Sequence, residues 1–81
     1  MTARNKFFEH EGKQITYREV QVLMCCAQGK TIKETANFLC LGKATIKRHR
    51  EHVRAHFDLK GYHTLECFAM KLLPELEKWA T

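Results

Sequence analysis

The sequence predicts an all-α fold: a small four-helix helix-turn-helix domain with a short N-terminal arm and a Pro-interrupted C-terminal helix. Three observations carry this. Two helix-start signatures, Thr16-Tyr17-Arg18-Glu19 and Thr31-Ile32-Lys33-Glu34, follow one another at the spacing of a capping box, in which a Thr hydroxyl and a Glu carboxylate satisfy each other's backbone amides. Val20, Leu23, Met24 and Ala27 recur at i, i+3, i+4 and i+7 after the first signature, and Ile32, Thr35, Ala36 and Leu39 fall at the same helical spacing in the second. A three-residue turn, Cys40-Leu41-Gly42, then separates the second apolar stripe from a third, strongly basic one.

Taken in order, residues 1–14 show no strong period and are expected to form an arm, with residues 15–81 as the domain. Phe7 and Phe8 are read as a pair that lays one ring over the core or meets a partner subunit, and Glu11-Gly12-Lys13 as a turn. No strand is expected. Ile15 and Val20 flank the first capping box as a hydrophobic staple, and Val20, Leu23, Met24 and Ala27 carry the first helix to about Gln28. Gly29 is placed for a left-handed C-cap.

The second helix runs from Ile32 to near Leu39, with Leu41 filling the gap between helices and Gly42 expected to take the sharp change of direction. The third spans residues 43–57. Ile46, Val53 and Phe57 form its inner face, completed by His49 or Arg50. Leu59 tucks under the following loop, and Thr64 is expected to cap a fourth helix with inner residues Leu65, Phe68, Ala69, Leu72 and Leu76. Pro74 lacks an amide donor and collides with the carbonyl of Met70, a cost of about 3 kcal/mol in mid-helix. A break near Leu73, with a separate last turn from Pro74 to Trp79, is therefore expected.

Charge narrows the function. Between Lys30 and Arg54 seven Lys or Arg face only Glu34 and Glu51, while the remaining residues carry seven basic and seven acidic groups, so this segment holds the whole net charge of +5. A cationic surface confined to one segment suits a polyphosphate partner. At 81 residues the chain supports one modest core and no deep catalytic cleft, and no nucleophile–base, phosphate-loop or paired-carboxylate arrangement marks an enzyme. The uncharged run from Val20 to Gly29 is too short to cross a bilayer, and the N-terminus lacks a signal-peptide core, so a cytoplasmic, nucleoid-associated protein that does not enter membranes is expected. Cys25, Cys26, Cys40 and Cys67 include no C-x-x-C pair and read as buried or half-buried free thiols. His49, His52 and His56 share one side of the third helix, but Arg50 and Arg54 crowd the same region. Neither a metal nor a cofactor is expected.

Ile15-Thr16-Tyr17-Arg18-Glu19-Val20-Gln21-Val22-Leu23, Ala27-Gln28-Gly29, Lys33-Glu34, Ala36, Leu39 and Thr45-Ile46-Lys47-Arg48-His49 resemble the LuxR/GerE-type helix-turn-helix pattern L-T-x-R-E-x-E-V-L, A-x-G, K-E-I-A-x-x-L, T-V-K-x-H. The resemblance covers about residues 15–69. It implies a bacterial, sequence-specific DNA-binding transcription regulator, usually joined to a receiver or ligand-sensing domain; the 14 residues ahead of the pattern suggest the stand-alone form. Gly42 replaces the usual Ser, Thr35 a larger apolar residue, His52 an Asn, His56 a Lys and Tyr62 an Arg. These departures bear on target sequence and phosphate affinity.

A helix in the major groove meets base edges through its outward, N-terminal half. Lys43, Lys47, Arg48 and Glu51 are the candidate base contacts: Lys47 or Arg48 can donate to guanine, and Glu51 can accept from cytosine N4. The resemblance places base contacts at Lys47, Arg48 and Glu51. The alternative is a solvated face with Lys47 and Glu51 as an i, i+4 pair. Thr31, Lys33, Thr45, His49 and Arg50, at helix N-termini or on the flanks of the reading helix, are the phosphate candidates. Reading two half-sites calls for a homodimer, and helix four, through which family members commonly pair, offers Cys67, Met70, Leu73 and Trp79. The expected partners are double-stranded DNA, a second copy and RNA polymerase. Competing readings are a sigma region-4-like module and an anti-activator that keeps the fold but acts through helix 64–79.

Overall fold

The computed structural model describes residues 7–61 and 63–80. A hairpin of β1 (Phe7–His10) and β2 (Lys13–Thr16) precedes four helices, α1 (Tyr17–Ala27), α2 (Ile32–Leu39), α3 (Lys43–His56) and α4 (Thr64–Ala80). The hairpin corrects the expectation of no strand. Phe7 pairs with Thr16, Phe8 with Ile15, Glu9 with Gln14 and His10 with Lys13. The two-residue turn puts Glu11 at φ 54° and Gly12 at φ 78°, the left-handed pair that matches strand twist in a two-residue hairpin. Two short strands are marginal alone. Here the Phe8–Ile15 pair lies in the main core, at 5% and 2% exposure, so tertiary packing stabilises two strands too short to persist alone. Phe7 stays exposed, so one ring of the pair covers the core as expected.

Both capping boxes form. Thr16 Oγ1 accepts the Glu19 amide at 3.2 Å while Glu19 Oε1 accepts the Thr16 amide at 2.9 Å, and Thr31 with Glu34 repeats the arrangement at 3.1 and 2.9 Å. The helix ends repeat as well. After α1, α2 and α3 the chain turns left-handed at Gly29, Cys40 and Asp58, and the next amide reaches back to Cys25, Ala36 or Arg54 carbonyl oxygen at 3.0, 2.9 and 2.8 Å. The change of direction between α2 and α3 therefore falls on Cys40, not Gly42. Gly42 sits at φ −76° as an extended N-cap whose carbonyl accepts the Ile46 amide.

The main core joins Phe8, Ile15, Val20, Leu23, Cys26, Val53, Leu65, Ala69, Leu72 and Leu76. A smaller cluster of Val22, Ala36 and Ile46, with Ile32, Leu39 and Leu41 against it, fixes α2 on α3. Leu41 thus fills the gap between helices as its position suggested.

Three further expectations change. α4 runs unbroken from Thr64 to Ala80 with Pro74 inside it. Leu72 and Leu76 are buried on either side of the proline while Pro74 and Met70 face solvent, so packing holds the helix and water can reach the carbonyl that proline leaves without a donor. Thr64 is the first helical residue, and its hydroxyl donates to the Gly61 carbonyl at 3.1 Å instead of capping. Cys25 and Cys26 are buried thiols, whereas Cys40, at the left-handed turn, and Cys67, on the outer side of α4, are exposed. The departure at Tyr62 lies outside the described residues, as do residues 1–6 of the arm. No helix among the described residues is long and apolar enough to cross a membrane.

Candidate nucleic-acid interface

Ile46 and Val53, both fully buried, anchor α3 on α1 and α2 and so decide which of its sides meets solvent. Lys43, Ala44, Lys47, Arg48 and Glu51 are exposed together on that outer side. Among the described residues Lys43, Lys47 and Arg48 have no ion-pair partner; Glu51 Oε2 lies 3.5 Å from Arg54 Nε, not against Lys47. Three cations with no ion-pair partner among the described residues leave a strong local field and long donors free to move.

Two polar ties set the pitch of this helix. His52 Nδ1 lies 2.9 Å from Glu19 Oε2, so the carboxylate that closes the α1 capping box also holds α3. Glu19 is 6% exposed, which keeps water from competing for it. On the far side Arg50 Nη2 donates to Glu66 Oε2 at 3.2 Å, and the Arg50 side chain is only 13% exposed. Arg50 thus ties α3 to α4, and its mostly buried side chain reaches the surface only as part of a groove shared with Lys47, Glu51 and Arg54. Sequence reasoning placed Arg50 among phosphate candidates, saw Glu19 only as a local cap and missed both ties, because their partners lie 16 and 33 residues apart.

Of the other phosphate candidates, Thr31 and Lys33 are exposed at the start of α2 and Thr45 is half-buried in the first turn of α3. With its oxygen accepting from Glu34, the Thr31 hydroxyl keeps its proton for an outside acceptor. Ile32 of α2 and Lys47, Arg50, Glu51 and Arg54 of α3 line a groove beside this helix start. His49 is half-buried, and burial holds its imidazole below the usual value of 6.5; Glu19 opposes that shift, whereas Arg18, His52 and Arg48 reinforce it. The three histidines of α3 separate in their contacts: His52 takes Glu19 and His56 stands edge-on to Phe57 at 5.9 Å. Among the described residues no three His, Cys, Asp or Glu side chains come together as a metal site.

On α4, Cys67 and Met70 are exposed, Met70 at 61%, and Leu73 is half-buried. Trp79 points the other way, edge-on to Phe8 and tilted on Tyr17, each at 5.9 Å, and belongs to the chain's own core.

Residues 13–69 match the family described as bacterial regulatory proteins, luxR family. The uncharacterized response regulatory protein YgeK of Escherichia coli (strain K12) is 44% identical over 46 residues, which make up 57% of this chain and 31% of that protein. The chain spans about a third of the length of this curated relative. No solved structure matches. The matched span holds both capping boxes, the turn at Cys40 and all of α3, so the chain belongs to the luxR family of bacterial regulatory proteins.

Proposed function

We propose that this DNA-binding transcription regulator reads its target by laying α3 in the major groove, with Lys47, Arg48 and Glu51 at base edges and Lys43 beside them. The exposed cations, unpaired among the described residues and on one side of a helix anchored by Ile46 and Val53, carry the reading. Arg48 suits the O6 and N7 acceptors of guanine, and Glu51, when it leaves Arg54, suits the N4 donor of cytosine. Thr31, Lys33 and Thr45, near the starts of α2 and α3, contact phosphates that fix register, with His49 on the flank. Arg50 serves by holding α3 against α4.

Reading two half-sites requires a second copy, and the exposed Cys67 and Met70 with half-buried Leu73 form the contact across a two-fold axis. Trp79 supports that contact from beneath by packing on Phe8. Selection of bound fragments from random double-stranded DNA at two salt concentrations tests the proposal. The expected result is an enriched inverted repeat with half-sites about one helical turn apart, roughly 34 Å, and a steep loss of affinity with salt. Binding with no enriched sequence, or no binding at either salt concentration, refutes it.

A further inference from the structure

α1 and α2 leave between them an apolar groove that the core does not fill. Tyr17, Gln21, Met24 and Gln28 recur along one side of α1, Phe38 and Leu39 of α2 form part of the other wall, and the space between holds about 220 Å³. Phe38 is 67% exposed, more than any other large hydrophobic side chain among the described residues. Tyr17, Met24 and Leu39 are each half-buried, so the groove presents aromatic and flexible aliphatic surface to water.

The polar groups of this groove are arranged. Arg18 Nη1 donates to Gln21 Oε1 at 2.9 Å, and Lys30 Nζ donates to Gln28 Oε1 at 2.9 Å while lying 5.0 Å from the Phe38 ring centroid. Each glutamine on the α1 wall therefore holds a cation at the rim. The two glutamines stand seven residues apart, about 10 Å along a helix, and among the described residues no Asp or Glu side chain lines the space between them. An apolar trough with a cation toward each end complements one kind of ligand: a short amphipathic helix whose apolar side chains enter the trough and whose carboxylates, two turns apart, meet Arg18 and Lys30.

We propose that the α1–α2 groove is a docking surface for an acidic amphipathic helix of a protein partner. None of its lining residues belongs to α3, so the groove is separate from the side chains proposed to meet bases. The chain's own first six residues carry Arg4 and Lys6 and no acid, which sets them against the rim charges.

The test uses a fluorescein-labelled 16-residue helical peptide with Leu at i, i+3 and i+7 and Glu pairs two turns apart, and a twin with Lys at the Glu positions. Anisotropy gives affinity, and methyl and amide NMR shifts give the location. The acidic peptide is expected to bind about tenfold more tightly than its twin, with shifts centred on Met24 and Phe38. Arg18→Glu with Lys30→Glu should reverse that preference. Phe38→Ala should weaken the acidic peptide by about tenfold and leave DNA affinity unchanged. Equal binding of the two peptides, shifts centred on α3 or α4, nuclear Overhauser contacts from residues 1–6 to Met24 in the free protein, or a dimer that Phe38→Ala dissolves would each overturn the proposal.

Discussion

Two arginines two residues apart on α3 should behave as opposites. Arg48 is exposed and unpaired among the described residues, while Arg50 is 13% exposed at its side chain and bonded to Glu66 at 3.2 Å. Arg48→Ala removes no hydrogen bond or ion pair among the described residues, so the thermal midpoint should hold. If Arg48 reads guanine, its loss costs about 1–3 kcal/mol, roughly 5- to 150-fold in affinity for the selected operator, and relaxes preference at one base pair. Arg50→Ala instead removes the hydrogen-bond donor of Glu66, whose Oε1 has no hydrogen-bond partner among the described residues and lies 4.0 Å from His63 Nδ1. Glu66 is about a third exposed, so water offsets part of the penalty, leaving about 1–2 kcal/mol. At about 4–8 °C per kcal/mol for a domain of this size, the midpoint should fall by roughly 5–15 °C. Well below that midpoint, operator choice should not change. Calorimetry with fluorescence titrations at two salt concentrations checks both arms. An Arg50→Ala protein that melts normally but loses about one phosphate contact from its salt slope, or an Arg48→Ala protein that loses stability and keeps its sequence preference, would refute the division of roles.

Three other outcomes follow from the same geometry. Burial lowers the His49 pKa, so the folded protein binds fewer protons than the unfolded chain as pH falls below 6.5. Stability should therefore decline through that window until the folded-state value is passed. A phosphate beside His49 favours the charged ring, so DNA affinity should rise from pH 8 to pH 6 beyond the change of a His49→Gln variant; equal pH profiles would remove His49 from the interface. Met70→Glu places a charge on the exposed side of α4 and should reduce self-association in sedimentation with the melting temperature kept; an unchanged dimer would move the two-fold contact elsewhere. Burial raises the pKa of both Cys25 and Cys26, so an aromatic disulfide reagent should titrate Cys40 and Cys67 promptly and the other two thiols only on unfolding. Four fast thiols in the native protein would contradict that core.

The capping boxes at Thr16 and Thr31, the stripes of Val20, Leu23, Leu65, Ala69 and Leu76, and the left-handed stop at Gly29 were legible because each rests on neighbours within about two helical turns. The hairpin was not. Its strands are four residues long, and Glu-Gly is a weak turn signal beside Asn-Gly or Asp-Gly, because Glu gains nothing locally from the left-handed region. The continuity of α4 through Pro74 was equally hidden, since local chemistry at Pro74 opposes a helix and only the burial of Leu72 and Leu76 overrides it.

The sequence alone determined that α3 would be cationic and that its inner side would be apolar, because charge and helical period are properties of the chain itself. Which cations are free and which are bound was decided by tertiary structure. Arg50 finds Glu66 and His52 finds Glu19 only once α3 has been laid across α1 and α4. An ion pair is a matter of distance in space, and separation along the chain does not encode it.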